Sequence, residues 1–138
     1  MKRNMKKGFS MIELLFAMII MAALAAIAIP SLSSGTGSAK MSSMKSDARN
    51  AIPNAAMVVS GANGSEPVES AFPKEFTEGQ EEFYGVTFSV SKDNKLTFDL
   101  NGNCTNGFTL TAEDVSDPQI TDKTVVYDSC SDGSIDVQ

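Results

Sequence analysis

The sequence predicts an α+β chain: one long N-terminal helix followed by an antiparallel sheet of about four strands. Three observations carry this expectation. Residues 14–29 contain neither a charge nor a polar side chain. Beyond Ala39, apolar residues recur at three- and four-residue steps (Met41, Met44, Ala48, Ile52, Ala55, Val59), as on one face of a helix. Residues 86–90 and 96–100 alternate apolar and polar side chains, the period of a half-buried strand. A chain of 138 residues has room for one modest domain plus an anchoring segment.

Composition removes whole classes of chemistry. There is no histidine and no tryptophan. Histidine general bases, histidine metal ligands and Ser-His-Asp triads are thus excluded within this chain. No enzyme is expected. A net charge of −6 and a pI of about 4.5 argue against nucleic-acid binding driven by overall charge.

The first eight residues hold Lys2, Arg3, Lys6 and Lys7 and no acid. Basic flanks stay cytoplasmic, which turns the rest of the chain outward. The apolar stretch that begins at Phe9 is interrupted only by Ser10 and Glu13. Through residue 29 it measures roughly 32 Å as a helix, enough to span a hydrocarbon core. A secretory signal peptide is the plain alternative, with Ala22-Ala23 or Ala25-Ala26 as cleavage sites. Glu13 fits that alternative badly, because a carboxylate costs about 2.5–3.5 kcal/mol at the centre of a membrane helix.

Gly8-Phe9-Ser10-Met11-Ile12-Glu13-Leu14-Leu15, with the apolar run ending at Pro30, resembles the signature of type IV pilins and type II secretion pseudopilins. The likeness is greatest to a type IVa major pilin. It covers about residues 1–55 and is tight over 7–30, with Ser10 at a usual Thr and Met11 at a frequent Leu. The resemblance implies that a prepilin peptidase removes the leader 1–8 by cutting between Gly8 and Phe9, and that Phe9 is then N-methylated. The mature chain would carry −10 rather than −6, since four basic residues leave. The helix 9–30 would serve first as a single-pass anchor in the bacterial inner membrane, in contact with lipid, and then as filament core. Glu13 would pair with the Phe9 ammonium of a neighbouring subunit, offsetting the cost of burying either charge alone. Implied partners are identical subunits in a homopolymer, the peptidase/methyltransferase, an inner-membrane assembly platform with its ATPase, and an outer-membrane secretin. The chain itself has no phosphate-binding loop.

Beyond the anchor, Pro30 is expected to kink the helix. The stem 31–62 should be partly melted near 31–38, where Ser, Gly and Thr dominate. Pro53 offers a second kink and Asn63-Gly64 a stop signal. Lys40, Lys45 and Arg49 read as a solvated basic face that pairs with acidic neighbours. Residues 63–85, rich in Glu with Pro67, Pro73 and Gly79, form a connecting loop pinned by Phe72, Phe76 and Phe83. Residues 86–138 are the sheet domain. Strands are expected at 86–90, 96–100, 108–111 and 124–127, the first two joined as a hairpin through 92–95.

Cys104 and Cys130 lie in the exported part, where an oxidising compartment favours a disulfide. It would stabilise by roughly 3–3.5 kcal/mol on a chain-entropy model. As in many pilins, residues 105–129 would then be an exposed contact surface. No cofactor is expected. Asp128 to Ser134 has a loose calcium-loop spacing, as pseudopilins often show, but lacks the closing Glu of an EF-hand. A solvated acidic edge accounts for the same residues. The leading function is a filament subunit of a type IV pilus, serving adhesion, motility, DNA uptake or surface attachment. The alternatives are a pseudopilin or minor pilin, and a membrane-anchored adhesive domain that never polymerises. An electron-conducting stem is disfavoured, since no aromatic residue occurs between Phe16 and Phe72.

Overall fold

The computed structural model describes residues 9–117, 120 and 122–138, and for 27–34 the backbone alone. The leader 1–8, and with it Gly8, lies outside the described residues. The chain divides into two compact units, Met1–Thr36 and Gly37–Gln138. Helix α1 runs Met11–Val59. Seven strands follow: β1 Lys74–Phe76, β2 Gly79–Phe83, β3 Val86–Val90, β4 Asn94–Leu100, β5 Phe108–Asp114, β6 Thr124–Asp128 and β7 Ile135–Val137. The α+β architecture is as the sequence predicts.

The backbone is helical through Pro30 and over 31–38, so the melting expected there is absent from the single subunit. Extending an existing helix fixes one residue per hydrogen bond, whereas restarting one after a break repeats the costly nucleation step. Good helix formers on both sides carry α1 across the weak stretch. The Pro30 side chain is outside the described residues, and the kink assigned to it with it. The helix also continues through Pro53. It stops at Gly61 rather than at Asn63-Gly64. Gly61 has φ 62°, and the amides of Gly61 and Ala62 donate to Val58 O at 3.1 Å and Met57 O at 3.2 Å. This left-handed C-terminal motif favours glycine and satisfies two orphan carbonyls.

In the second unit α1 buries Met44, Ala48, Ala51, Ala55 and Val58. Three alanines on that face let the backbone approach the sheet closely. Phe76, Phe88, Leu96, Phe98, Leu110 and Val125 complete the core from the strands. The main sheet has the order β1-β4-β5-β6-β7, all antiparallel, and β2-β3 form a separate two-stranded ribbon.

Two expectations need correction here. The segment 63–85 is not loop throughout; it contributes β1 and β2. These strands were hidden because Gly79-Gln80-Glu81-Glu82 is poor in strand formers and β1 is three residues long. The second concerns the hairpin. β3 pairs with β2 and β4 with β1 and β5, so 92–95 is a crossing between sheets and not a hairpin turn. A buried carboxylate explains the crossing. Asp47 on α1 accepts from Ser91 N at 3.0 Å, Ser91 Oγ at 2.7 Å and Asn94 Nδ2 at 2.7 Å. With the polar groups of 91–94 captured by the helix, β3 turns away from β4. The true hairpin is β2–β3, closed by Tyr84 (φ 51°) and Gly85 (φ 73°). Two successive positive-φ residues match the twist of a two-residue turn.

Phe72, Phe76 and Phe83 fasten the connecting segment as expected. Phe76 stacks on Phe88 at 4.4 Å between ring centroids, and Phe72 meets Phe98 edge-on at 5.0 Å. At the end of the sheet where Asp114 of β5 pairs with Asn94, Lys40 of α1 reaches Asp114, with Nζ 3.1 Å from Oδ2. Asp114 Oδ1 also accepts from the amides of Ser116 at 2.9 Å and Asp117 at 2.7 Å. Burial alone would push the Asp114 carboxyl up, but these amides and Lys40 outweigh it and hold it below the ordinary carboxylate value. On the outer face, Lys95 lies between Glu113 at 2.6 Å and Glu75 at 3.3 Å, which raise its ammonium.

Three outcomes test these contacts. Asp47→Ala orphans the donors of Ser91 and Asn94, and urea unfolding should show a loss of about 2–3 kcal/mol. A Cβ on Gly107 would overlap Asn101 O and stand 2.5 Å from Cys130 Sγ; thiol alkylation followed by mass measurement should find Gly107→Ala with unpaired cysteines. The third concerns acid. Asp114 is favoured in its charged form, so its contribution is complete above the unfolded value of about 3.9 and fades as pH falls through the lower folded value. The stability gap between wild type and Asp114→Asn should therefore narrow on acidification below about pH 4.

Candidate functional site

The N-terminal unit begins with Phe9, 81% exposed, ahead of the first helical turn. Ser10 caps that turn. Its Oγ accepts from Ile12 N at 3.2 Å, and its carbonyl accepts from Glu13 N at 3.0 Å and Leu14 N at 3.2 Å. Glu13 reaches back, and its Oε2 accepts from Ser10 N at 3.4 Å. The Ser10 side chain thus satisfies the amide of Ile12 and the Glu13 side chain that of Ser10, a variant of the capping box. The carboxylate also faces the positive end of the helix dipole. Oε1 of Glu13 accepts no hydrogen bond among the described residues. Ser-x-x-Glu before an apolar run is a readable signature of this cap; attention to the charge of Glu13 alone passes over it, and over Ser10.

Past the cap the helix is apolar on all sides. Met11, Ile12, Leu14, Leu15, Phe16, Met18, Ile19, Ile20, Met21 and Leu24 are each at least 56% exposed. Ile12, Leu15, Phe16 and Ile19, spaced three and four residues apart, line a shallow groove with no polar atoms. A helix apolar around its whole circumference has no stable place in water. Among the described residues no helix is long and apolar enough to cross a membrane. The side chains of the described apolar run end at residue 26, short of the roughly 20 helical residues a crossing takes.

The other predicted site residues lie in the second unit. Cys104 and Cys130 form a disulfide with Cα atoms 5.6 Å apart. It ties the 101–107 loop to the end of β6, and Asn103 to Asn106 are exposed beside it. Asp128 is occupied in the same corner, where its Oδ1 accepts from Asn101 Nδ2 and Cys130 N, each at 2.8 Å. Asp132 accepts from Ser134 N at 2.9 Å, and its hydrogen bonds from Ser134 hold it below the ordinary value. Among the described residues no group of three or more acidic or cysteine side chains is placed to hold a metal ion.

Comparison with curated proteins and with solved structures finds no match. Residues 3–29 match the family model of the prokaryotic N-terminal methylation motif. Phe9, the Ser10–Glu13 cap and most of the apolar sleeve fall inside that match. At its N-terminus the chain therefore carries the class III signal of type IV pilins and pseudopilins.

Proposed function

We propose that the chain is a structural subunit of a type IV pilus filament. It waits in the inner membrane as a single-pass protein with its second unit in the periplasm. The leader is removed by prepilin peptidase, Phe9 is methylated, and the subunit joins a homopolymer built by an assembly platform and ATPase and passed through a secretin. Its work is packing, not catalysis.

The observation that carries this reading is Glu13 at the head of an otherwise uncharged, fully exposed apolar sleeve. Removing that sleeve from water needs lipid or other copies of the same helix. Buried among copies, both the Phe9 ammonium and the Glu13 carboxylate would be costly alone, and together they offset much of that cost. The unoccupied Oε1 of Glu13 is available to the incoming ammonium while Oε2 keeps the cap. Because each pair joins two subunits, it sets their axial register. The Ser- and Gly-rich stretch 31–38 gives the rod a segment that softens at low cost when neighbours pack.

The test is filament yield in the sheared surface fraction. An unpaired buried charge costs about 3–5 kcal/mol, so Glu13→Ala should reduce filaments at least about a hundredfold. Filaments at the wild-type level in Glu13→Ala would contradict the reading and favour an anchored adhesive domain. Processed wild-type chain that stays in the membrane fraction, with no sheared filaments, would assign it to a pseudopilus or to a minor pilin.

A further inference from the structure

Seven basic residues remain after the leader, and the structure separates them. Lys40, Lys74 and Lys95 each hold a carboxylate of the same chain. Lys92 and Lys123 lie in the segments that lead into β4 and β6, off the helix. Lys45 and Arg49 differ from all of these. They lie four residues apart on α1, where side chains are neighbours and like charges repel. Arg49 is exposed and Lys45 half-buried, and among the described residues neither forms an ion pair.

Their direction is informative. Asn54 marks the side of α1 that faces β3, since its Nδ2 donates to Thr87 O at 2.9 Å. At 3.6 residues per turn, Lys45 stands about 180° around the helix from Asn54. The basic pair therefore points away from the β2–β3 ribbon.

The ribbon carries the opposite charge. Glu78 and all of β2 up to Glu82 are exposed. Strand alternation divides its acids between two faces. Glu81 shares a face with the half-buried Phe83 and pairs with Lys74. Gln80 and Glu82 share the other face, Glu78 stands in the bend that leads into the strand, and Glu78 and Glu82 have no cation partner among the described residues. β2 pairs with β3 alone, so its other edge has no strand beside it among the described residues.

We infer that Lys45 and Arg49 of one subunit dock against Glu78 and Glu82 of a second copy of this chain. Opposite charges on opposite sides of one unit cannot meet within a molecule. Between copies they make a head-to-tail contact, which propagates into a filament when the rotation does not close. The long stems of Lys and Arg let the pair reach both Glu82 on β2 and Glu78 in the bend before it. An acidic chain favours this occupant over nucleic acid, whose phosphates its overall charge repels. The inference rests on the filament reading and adds the surface through which the outer units recognise one another.

Charge reversal in the full-length protein tests it. Lys45→Glu with Arg49→Glu should lower sheared filaments at least about tenfold, and so should Glu78→Lys with Glu82→Lys, because like charges then face each other. Combining all four should restore filaments toward the wild-type level. Zero-length amine–carboxyl cross-linking of cells should join Lys45 to Glu78 or Glu82 and give a ladder of multimers. Wild-type yields in both double variants, or losses that the fourfold variant fails to restore, would overturn the docking; so would an absent cross-link with intact filaments. A basic double variant that loses nucleic-acid or lipid retention in place of filaments would equally overturn it. A cross-linked ladder without any sheared filament would keep the docking and sink the filament reading.

Discussion

An apolar surface that wraps the whole circumference of a helix has to be covered by something outside its own chain. That constraint governs this molecule. From Met11 to Leu24 the exposed apolar side chains point in every direction, and no second element of the same unit shields them. After residue 37 the same helix has one apolar face, of Met44, three alanines and Val58, which is buried in the core with the sheet. One helix thus satisfies its hydrophobic demand internally at one end and requires an external partner at the other.

Charge placement follows the same division. In the second unit each buried acid is met by a donor from a distant part of the chain, Asp47 by Ser91 and Asn94 and Asp114 by Lys40. Asn94 and Asp114 are register partners of β4 and β5, so these contacts fasten the helix to one end of the sheet. In the first unit Glu13 has only a local role, closing the cap with Ser10 and leaving an oxygen unspent. A carboxylate that stabilises its own helix end and retains free capacity is suited to meeting a second charge when apolar surfaces come together. On the proposed reading the sleeve supplies the driving force, Glu13 the register and the charged flanks of the outer unit the selection of neighbours.

The sequence made some of this legible because a local pattern sufficed. The uncharged run, the strands at 86–90 and 96–100, and the Cys104–Cys130 pair needed no knowledge of distant contacts. Other features depended on partners far away in the chain. The crossing at 91–94 looked like a hairpin because Asp47, more than forty residues earlier, captures its polar groups. β2 was masked by acids that suit an edge strand but carry no strand propensity. The helix stop was placed at Asn63-Gly64, whereas the carbonyls of Met57 and Val58 select Gly61. At the candidate site the charge of Glu13 stands out in the sequence, and the Ser-x-x-Glu pattern of its cap with Ser10 is legible beside it but easily passed over. On the proposed reading its partner belongs to another molecule and leaves no mark in a single chain.

The central claim is that the sleeve is retained and begins at Phe9. Mass spectrometry of the N-terminal peptide, taken from the chain isolated from its native cells, reads this directly. The account predicts a peptide that starts at Phe9 with its amine methylated. A chain that still begins at Met1, or one that begins beyond Ala26, would contradict it.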